Sequence, residues 1–326
     1  MEFAEQYRAI LNCLPQPACL LKNGSVLLQN EAAGGAFAAL LQEPIPEPPA
    51  MLTCGEWIYT LRPLEDLCLV LASRAEPEGT DVSFLRLPQS ELFGSVSSLM
   101  PSVEELEDPL IHRQAAGVNR SLYRLYRSIS NLELSSSDPM PRFSQIDLTE
   151  LLAELERHIP RPCRDGVTVE AELPSRPMPV LTDPQLLKRA VLNLLSNAIR
   201  HAESGSVVRL QLTKQQGRTM ITVRNAGIPA DPDTVFGGAD KAHMHGTAGL
   251  GLELVRKIMG ILGGTLLLRM PEDGTVATLA LPARTAEPGG TALRFDSFDM
   301  SGGFDPVLLE LSDVLPLEVF LPEAID

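Results

Sequence analysis

The stretch Leu181 to Ala202, LTDPQLLKRAVLNLLSNAIRHA, leaves this chain few ways to fold. Thr182 or Asp183 suits a helix N-cap and Pro184 its first turn, so the segment opens with the chemistry of a helix start. Leu187, Ala190, Val191, Leu194, Leu195 and Ala198 then recur at helical spacing and define a buried stripe. Beside it, Asn193 and Asn197 stand one turn apart, with Arg200 and His201 a turn further along the same polar face. Asn competes with the backbone for hydrogen bonds and is a mediocre helix former. Two on one face mean either a half-exposed polar edge or a site.

Downstream, Gly246-Thr-Ala-Gly249-Leu-Gly251-Leu252 opens a second amphipathic helix. Glycines at a helix N-terminus let backbone N–H groups approach a phosphate in the positive field of the helix dipole, although turns and C-caps use the same residues. Between the two lies Val223-Arg-Asn225-Ala-Gly227-Ile-Pro229, and beyond them Gly263-Gly264-Thr265 and Gly274-Thr-Val-Ala-Thr-Leu-Ala-Leu-Pro282. In this order the segments resemble the N box, a reduced first glycine box, the second glycine box and the closing hairpin of the ATP-binding domain of sensor histidine kinases, in the Bergerat (GHKL) superfamily. The resemblance covers roughly residues 90 to 282.

Composition sets the outer limits. The chain has 326 residues, 44% of them hydrophobic, which is room for two or three domains with real cores. A formal charge of −15 argues against nucleic acid as a direct partner and against anionic lipid. No segment has the apolar length of a membrane span and the N-terminus lacks signal-peptide character, so the expected location is cytoplasmic, without membrane insertion. Cys13, Cys19, Cys54, Cys68 and Cys163 are odd in number and form no CxxC pair, which suits reduced core thiols. From Ala283 onward nine carboxylates face only Arg284 and Arg294. A solvated, partly packed extension is the default expectation for residues 284–326, with docking onto the nucleotide domain or a partner as the alternative.

The pattern predicts an α+β multidomain chain. Residues 1–75 resemble a small PAS sensor or dimerisation domain, with a hairpin turning at Asn23-Gly24 and an antiparallel pair over 57–62 and 66–72. Residues 82–137 read as an antiparallel helical hairpin: Ala115, Val118, Leu122, Leu125, Ile129 and Leu132 form an a/d seam, with Leu92 to Leu106 as a partner stripe interrupted by Pro101. It resembles a dimerisation and phosphotransfer hairpin and implies a homodimer. Residues 143–283 would be the GHKL-type α/β sandwich, a mixed sheet with helices on one face: helix 147–158, strand 167–173, the N-box helix, a hairpin turning at Gln216-Gly217, helix 250–262, and strands 265–270 and 275–281.

The resemblance implies ATP and Mg²⁺ as cofactors. Asn197 would hold the metal; Asn193 with Arg200 or His201 would touch phosphates; Gly246, Gly249 and Gly251 would line the phosphate end and Gly227 the adenine end. Mg²⁺ prefers hard oxygen ligands and keeps waters, so one amide carbonyl plus phosphate oxygens is a reasonable shell. The family's adenine-reading Asp is replaced by Asn225, and the charge-assisted bond lost there is worth on the order of 1 kcal/mol. No acceptor His stands where the family places one: the tentative alignment puts Ser83 there with Phe84 where a base belongs, and His112, at the start of the second hairpin helix, reads as an ordinary surface His with a substitute acceptor as the alternative. The Glu that activates water in hydrolytic relatives is Asn193 here, which disfavours hydrolysis.

The implied function is a histidine-kinase-family signalling protein that binds Mg-ATP and phosphorylates a histidine, with a response regulator or another signalling protein as partner. The alternatives are a signalling pseudokinase or adaptor dimer whose ATP-binding domain is regulatory, and an anti-sigma-factor type of serine kinase.

Overall fold

The computed structural model describes residues 8, 11–12, 14, 16–38, 40–42, 45–48, 50–54, 57–64, 67–74, 108–136, 139–215, 217–227, 250–282 and 305–324. Its N-terminal strands are β1 (Ala18–Lys22), β2 (Ser25–Gln29), β3 (Ala50–Cys54), β4 (Trp57–Leu64) and β5 (Leu67–Arg74). The β1–β2 turn has Asn23 at φ 50° and Gly24 at φ 77°, the left-handed pair that a two-residue hairpin needs. Leu52, Tyr59, Leu61 and Val70 meet Phe37 and Leu40 on one side of these strands, and Tyr59 Oη donates to Ala36 O at 2.6 Å.

The second half carries β6 (Ser144–Asp147), β7 (Thr168–Glu172), β8 (Pro179–Thr182), β9 (Val207–Gln215), β10 (Arg218–Ala226), β11 (Thr265–Arg269) and β12 (Gly274–Leu281). Its helices are α1 (Pro109–Ser136), α2 (Leu148–His158), α3 (Pro184–His201), α4 (Leu250–Leu262) and α5 (Pro306–Leu311). One ten-stranded sheet runs β2-β1-β5-β4-β3-β11-β12-β10-β9-β7. All its pairings are antiparallel except β7 with β9. The mixed α/β class expected from the pattern is therefore present. The halves share the sheet through β3 and β11, where Leu266 stands opposite Thr53 and Arg269 opposite Ala50. Strands β6 and β8 form a separate pair.

Leucines of α2, the stripe of α3 and Leu254, Val255, Ile258 and Leu262 of α4 form one core with β9, β10 and β12. Area removal of this kind, about 25 cal/mol per Å² of apolar surface, is what holds helices on a sheet. Asp183 caps α3, accepting from Gln185 N and Leu186 N, with Pro184 following it. Asp147 does the same for α2 through Thr149 N.

Along α1, Val118, Leu125 and Leu132 of the a/d seam are exposed and Ala115 is buried, whereas Ala116, Asn119, Tyr123, Arg127, Asn131 and Leu134 pack into this chain. The first helix of the expected hairpin, with Ser83, lies outside the described residues. Over 305–324 the tail follows the docking alternative rather than the solvated default. Val307, Leu311, Val314, Leu315 and Phe320 join the main core, Phe320 packs edge-on against Tyr123 at 5.5 Å, and Asn119 Nδ2 donates to Phe320 O. Its alternation of Leu, Val and Phe with carboxylates gives it an apolar face to bury, which the net charge concealed.

Candidate functional site

Helix α3 carries the polar face at the centre of the molecule. Asn193 and Ser196 are fully buried beneath α1 and α5, which cross over them. Asn193 uses its amide completely: Nδ2 donates to Arg189 O and to Glu310 Oε2, both at 2.9 Å, and Oδ1 accepts from Arg127 Nη2 at 3.2 Å. Arg127 also donates to Ser196 Oγ at 3.3 Å.

Two tail carboxylates complete the cluster. Glu310 pairs with Arg127 Nε and Arg189 Nε, each at 3.1 Å, and its side chain is 4% exposed. Asp313 pairs with Arg124 Nε at 2.8 Å, Arg127 Nη1 at 3.1 Å and Arg200 Nη2 at 2.8 Å. Four guanidinium groups thus surround two carboxylates, a surplus of positive charge in a partly dry site. Burial of this depth is tolerated because each charge is ion-paired, although Arg124 Nε and Arg189 Nε meet their carboxylates without hydrogen-bond geometry.

Asn197 differs from its neighbour one turn earlier. Its Nδ2 is buried with no hydrogen-bond partner, and Gly251 at the start of α4 lies against it. A Cβ on Gly251 would sit 3.4 Å from Asn193 Oδ1 and 3.6 Å from Asn197 Nδ2, so the glycine keeps a small space open over both amides. Asn197 Oδ1 lies 3.7 Å from the same Cβ position, so an amide oxygen, the donor Mg²⁺ takes, borders that space. Asn197 would hold a Mg²⁺ ion there through its amide oxygen.

The remaining residues of the sequence-derived set fall at two places. His201, at the C-terminus of α3, is exposed; desolvation and then the Arg200 cation lower its pKa, which keeps it neutral at pH 7. Asn225 is buried on β10 and donates to His201 O at 3.3 Å, and Gly227 follows it. Asn225 and Gly227 therefore lie beside the last turn of the same helix. Gly246 and Gly249 lie outside the described residues. His112 is at the other end of α1, its Nδ1 3.2 Å from Glu323 Oε2, in an open cavity of about 470 Å³ lined also by Asp108, Arg113 and Leu317. Fifteen residues of helix separate His112 from Arg127, about 22 Å at 1.5 Å per residue. The structure thus brings Asn193, Asn197, Arg200 and Gly251 together and leaves His112 apart from them. Sequence reading missed Arg124, Arg127, Arg189, Glu310 and Asp313. Arg189 is one turn before Asn193 and was legible as part of that face; the other four come from distant segments.

Paired asparagines on a buried helix with a glycine at the next helix start make a polar recess on a mixed α/β unit. Residues 182–285 match the family of histidine kinase-, DNA gyrase B-, and HSP90-like ATPases. The sensor-like histidine kinase SenX3 of Mycobacterium bovis is 28% identical over 213 residues, covering 61% of this chain and 51% of SenX3. The alginate biosynthesis sensor protein KinB of Pseudomonas aeruginosa is 31% identical over 165 residues, covering 49% of this chain and 26% of KinB. Among solved structures, full-length ShkA in complex with AMPPNP aligns with a TM-score of 0.46 and 17% identity, over 64% of this chain and 47% of ShkA. Residues 182–285 carry a domain of this ATPase family, and the chain is similar over a wider span to sensor histidine kinases. It spans about half the length of SenX3.

Proposed function

We propose that the protein is a signalling member of this family that binds Mg-ATP on the α3 face, with Asn197 as the metal ligand and Arg200 as a phosphate contact. The orphaned Asn197 amide beside Gly251 carries the reading, because a buried polar atom without a partner costs about 1–3 kcal/mol unless something meets it. Bound Mg²⁺ would neutralise phosphate charge. The chain's own residues orient the triphosphate and exclude water, and phosphoryl transfer to a histidine needs little more than that positioning. We assign residues 1–75 to a PAS-like sensor, 82–137 to a dimerisation hairpin, 143–283 to the ATP-binding domain and 284–326 to a regulatory extension. A cytoplasmic homodimer signalling to a response regulator is the corresponding assembly.

The regulatory pseudokinase reading has its own support. His112 lies about 22 Å along α1 from the cluster around Asn193, so this arrangement offers no transfer to it within one chain. Asn225 commits its Nδ2 to the His201 carbonyl in place of the charged adenine reader. The experiment that separates the two is incubation with γ-labelled ATP and Mg²⁺, alongside Asn197→Ala and His112→Ala. Acid-labile label lost in both variants identifies a kinase whose acceptor is His112. Saturable ATP binding without label identifies the pseudokinase.

A further inference from the structure

The residues that would receive the phosphates are already holding an anion, and that anion belongs to the same chain. Asn193 and Arg200, two of the positions expected at the phosphate end, bond Glu310 and Asp313 of the tail. Asn193 has no N–H left to offer a phosphate, since Arg189 O and Glu310 take both hydrogens of its Nδ2. A phosphate brought to these groups while the carboxylates stay would meet like charge at contact distance in a site where screening is weak. Occupation by tail and by polyphosphate therefore exclude one another.

We propose that the tail is an intramolecular occupant of the phosphate end of the nucleotide site, with Glu310 and Asp313 standing in for phosphate oxygens at the arginines of α1 and α3. The proposal rests on the Mg-ATP reading above and adds its regulation. Charge favours an exchangeable occupant: Arg124, Arg127, Arg189 and Arg200 outnumber the two carboxylates, so a triphosphate satisfies the cluster more fully than the tail does. Geometry makes the exchange consequential. Helix α5 lies between α1 and α3, and Arg127 bonds the tail and Asn193 at once, so displacing the tail also loosens α1 from the nucleotide domain. Nucleotide entry and release of the helix that carries the a/d seam become one event. By the same logic, the apparent affinity for nucleotide falls by the fraction of molecules whose site is free.

The test uses the full chain and its Glu310→Gln/Asp313→Asn variant, which keeps side-chain shape while removing the charge and one acceptor oxygen from each group. Asp313→Asn alone is the milder companion should the double variant melt early. ATP with Mg²⁺ is titrated by calorimetry, and hydrogen exchange of residues 305–320 is followed with and without millimolar Mg-ATP. The expected result is at least about tenfold tighter ATP binding by the variants, with faster tail exchange in wild type when Mg-ATP is added. Equal affinity in wild type and variants, or tail protection unchanged at saturating ATP, overturns the proposal and leaves the ATP site standing. Absence of ATP binding in wild type and all variants removes the Mg-ATP reading and this proposal with it.

Discussion

Asn197 is the residue on which the nucleotide reading turns. Its amide has an unpartnered nitrogen, so Asn197→Ala removes little from the fold, and the expected change in thermal midpoint is under about 4 °C, equivalent to roughly 1 kcal/mol or less. Mg-ATP affinity is expected to fall at least about tenfold, read by calorimetry with and without EDTA. Gly274 makes a different kind of demand. Its φ is 153°, and a Cβ there would collide with the carbonyl of Asn225 in the paired strand, which cannot move without breaking the β10–β12 ladder. Gly274→Ala should therefore destabilise by about 2–4 kcal/mol in urea melts and disturb Asn225 with it. The thiols are quieter. Burial pushes Cys19 up to about 12 and Cys163 up to about 11, with Cys68 up to about 11 for the same first cause. A raised thiol pKa means the neutral form persists as pH rises, so these three should resist Ellman's reagent at pH 8 in the native state and react once urea is added.

Among the elements, α3 and α4 were legible because each carries its own start signal and its own apolar stripe. Helix α4 begins at Leu250 and ends at Leu262, as the periodicity predicts. The β9–β10 hairpin was legible for the same local reason, alternation on both sides of Gln216-Gly217. Strand β3, Ala-Met-Leu-Thr-Cys, was not: it follows a Pro-rich connector, shows no clean alternation, and exists because β4 and β11 pair with its two edges. Strand β8 was missed because four residues with a leading Pro carry no period. The tail element α5 was legible as a short helix or strand, but its docking stood only as the alternative to a solvated, partly packed extension, since its anchor is tertiary. Phe320→Ala should remove the ring packed on Tyr123 and cost about 3–5 kcal/mol if the tail is coupled to global unfolding. Fluorescence and far-UV circular dichroism melts measure that loss.

For the whole molecule, the relevant fact is which face of α1 is spent. Its polar face is consumed by the chain's own nucleotide domain and tail, and Val118, Leu125 and Leu132 are left at the surface along one seam. Leu125→Lys is therefore expected to shift a dimer to monomer in light scattering while leaving the melting transition of the chain within about 2 °C. The sequence by itself determined the elements that announce themselves locally: the capped asparagine helix, the glycine-led helix after it, the hairpins, and from them the ATPase family that residues 182–285 match. Only the tertiary structure decided what those asparagines touch. Arg127 lies 66 residues before Asn193 and Glu310 lies 117 after it, separations over which periodicity and propensity carry no information. A carboxylate in an acidic tail reads as solvated until folding sets it among four arginines, because the charge that decides its place belongs to other segments of the chain.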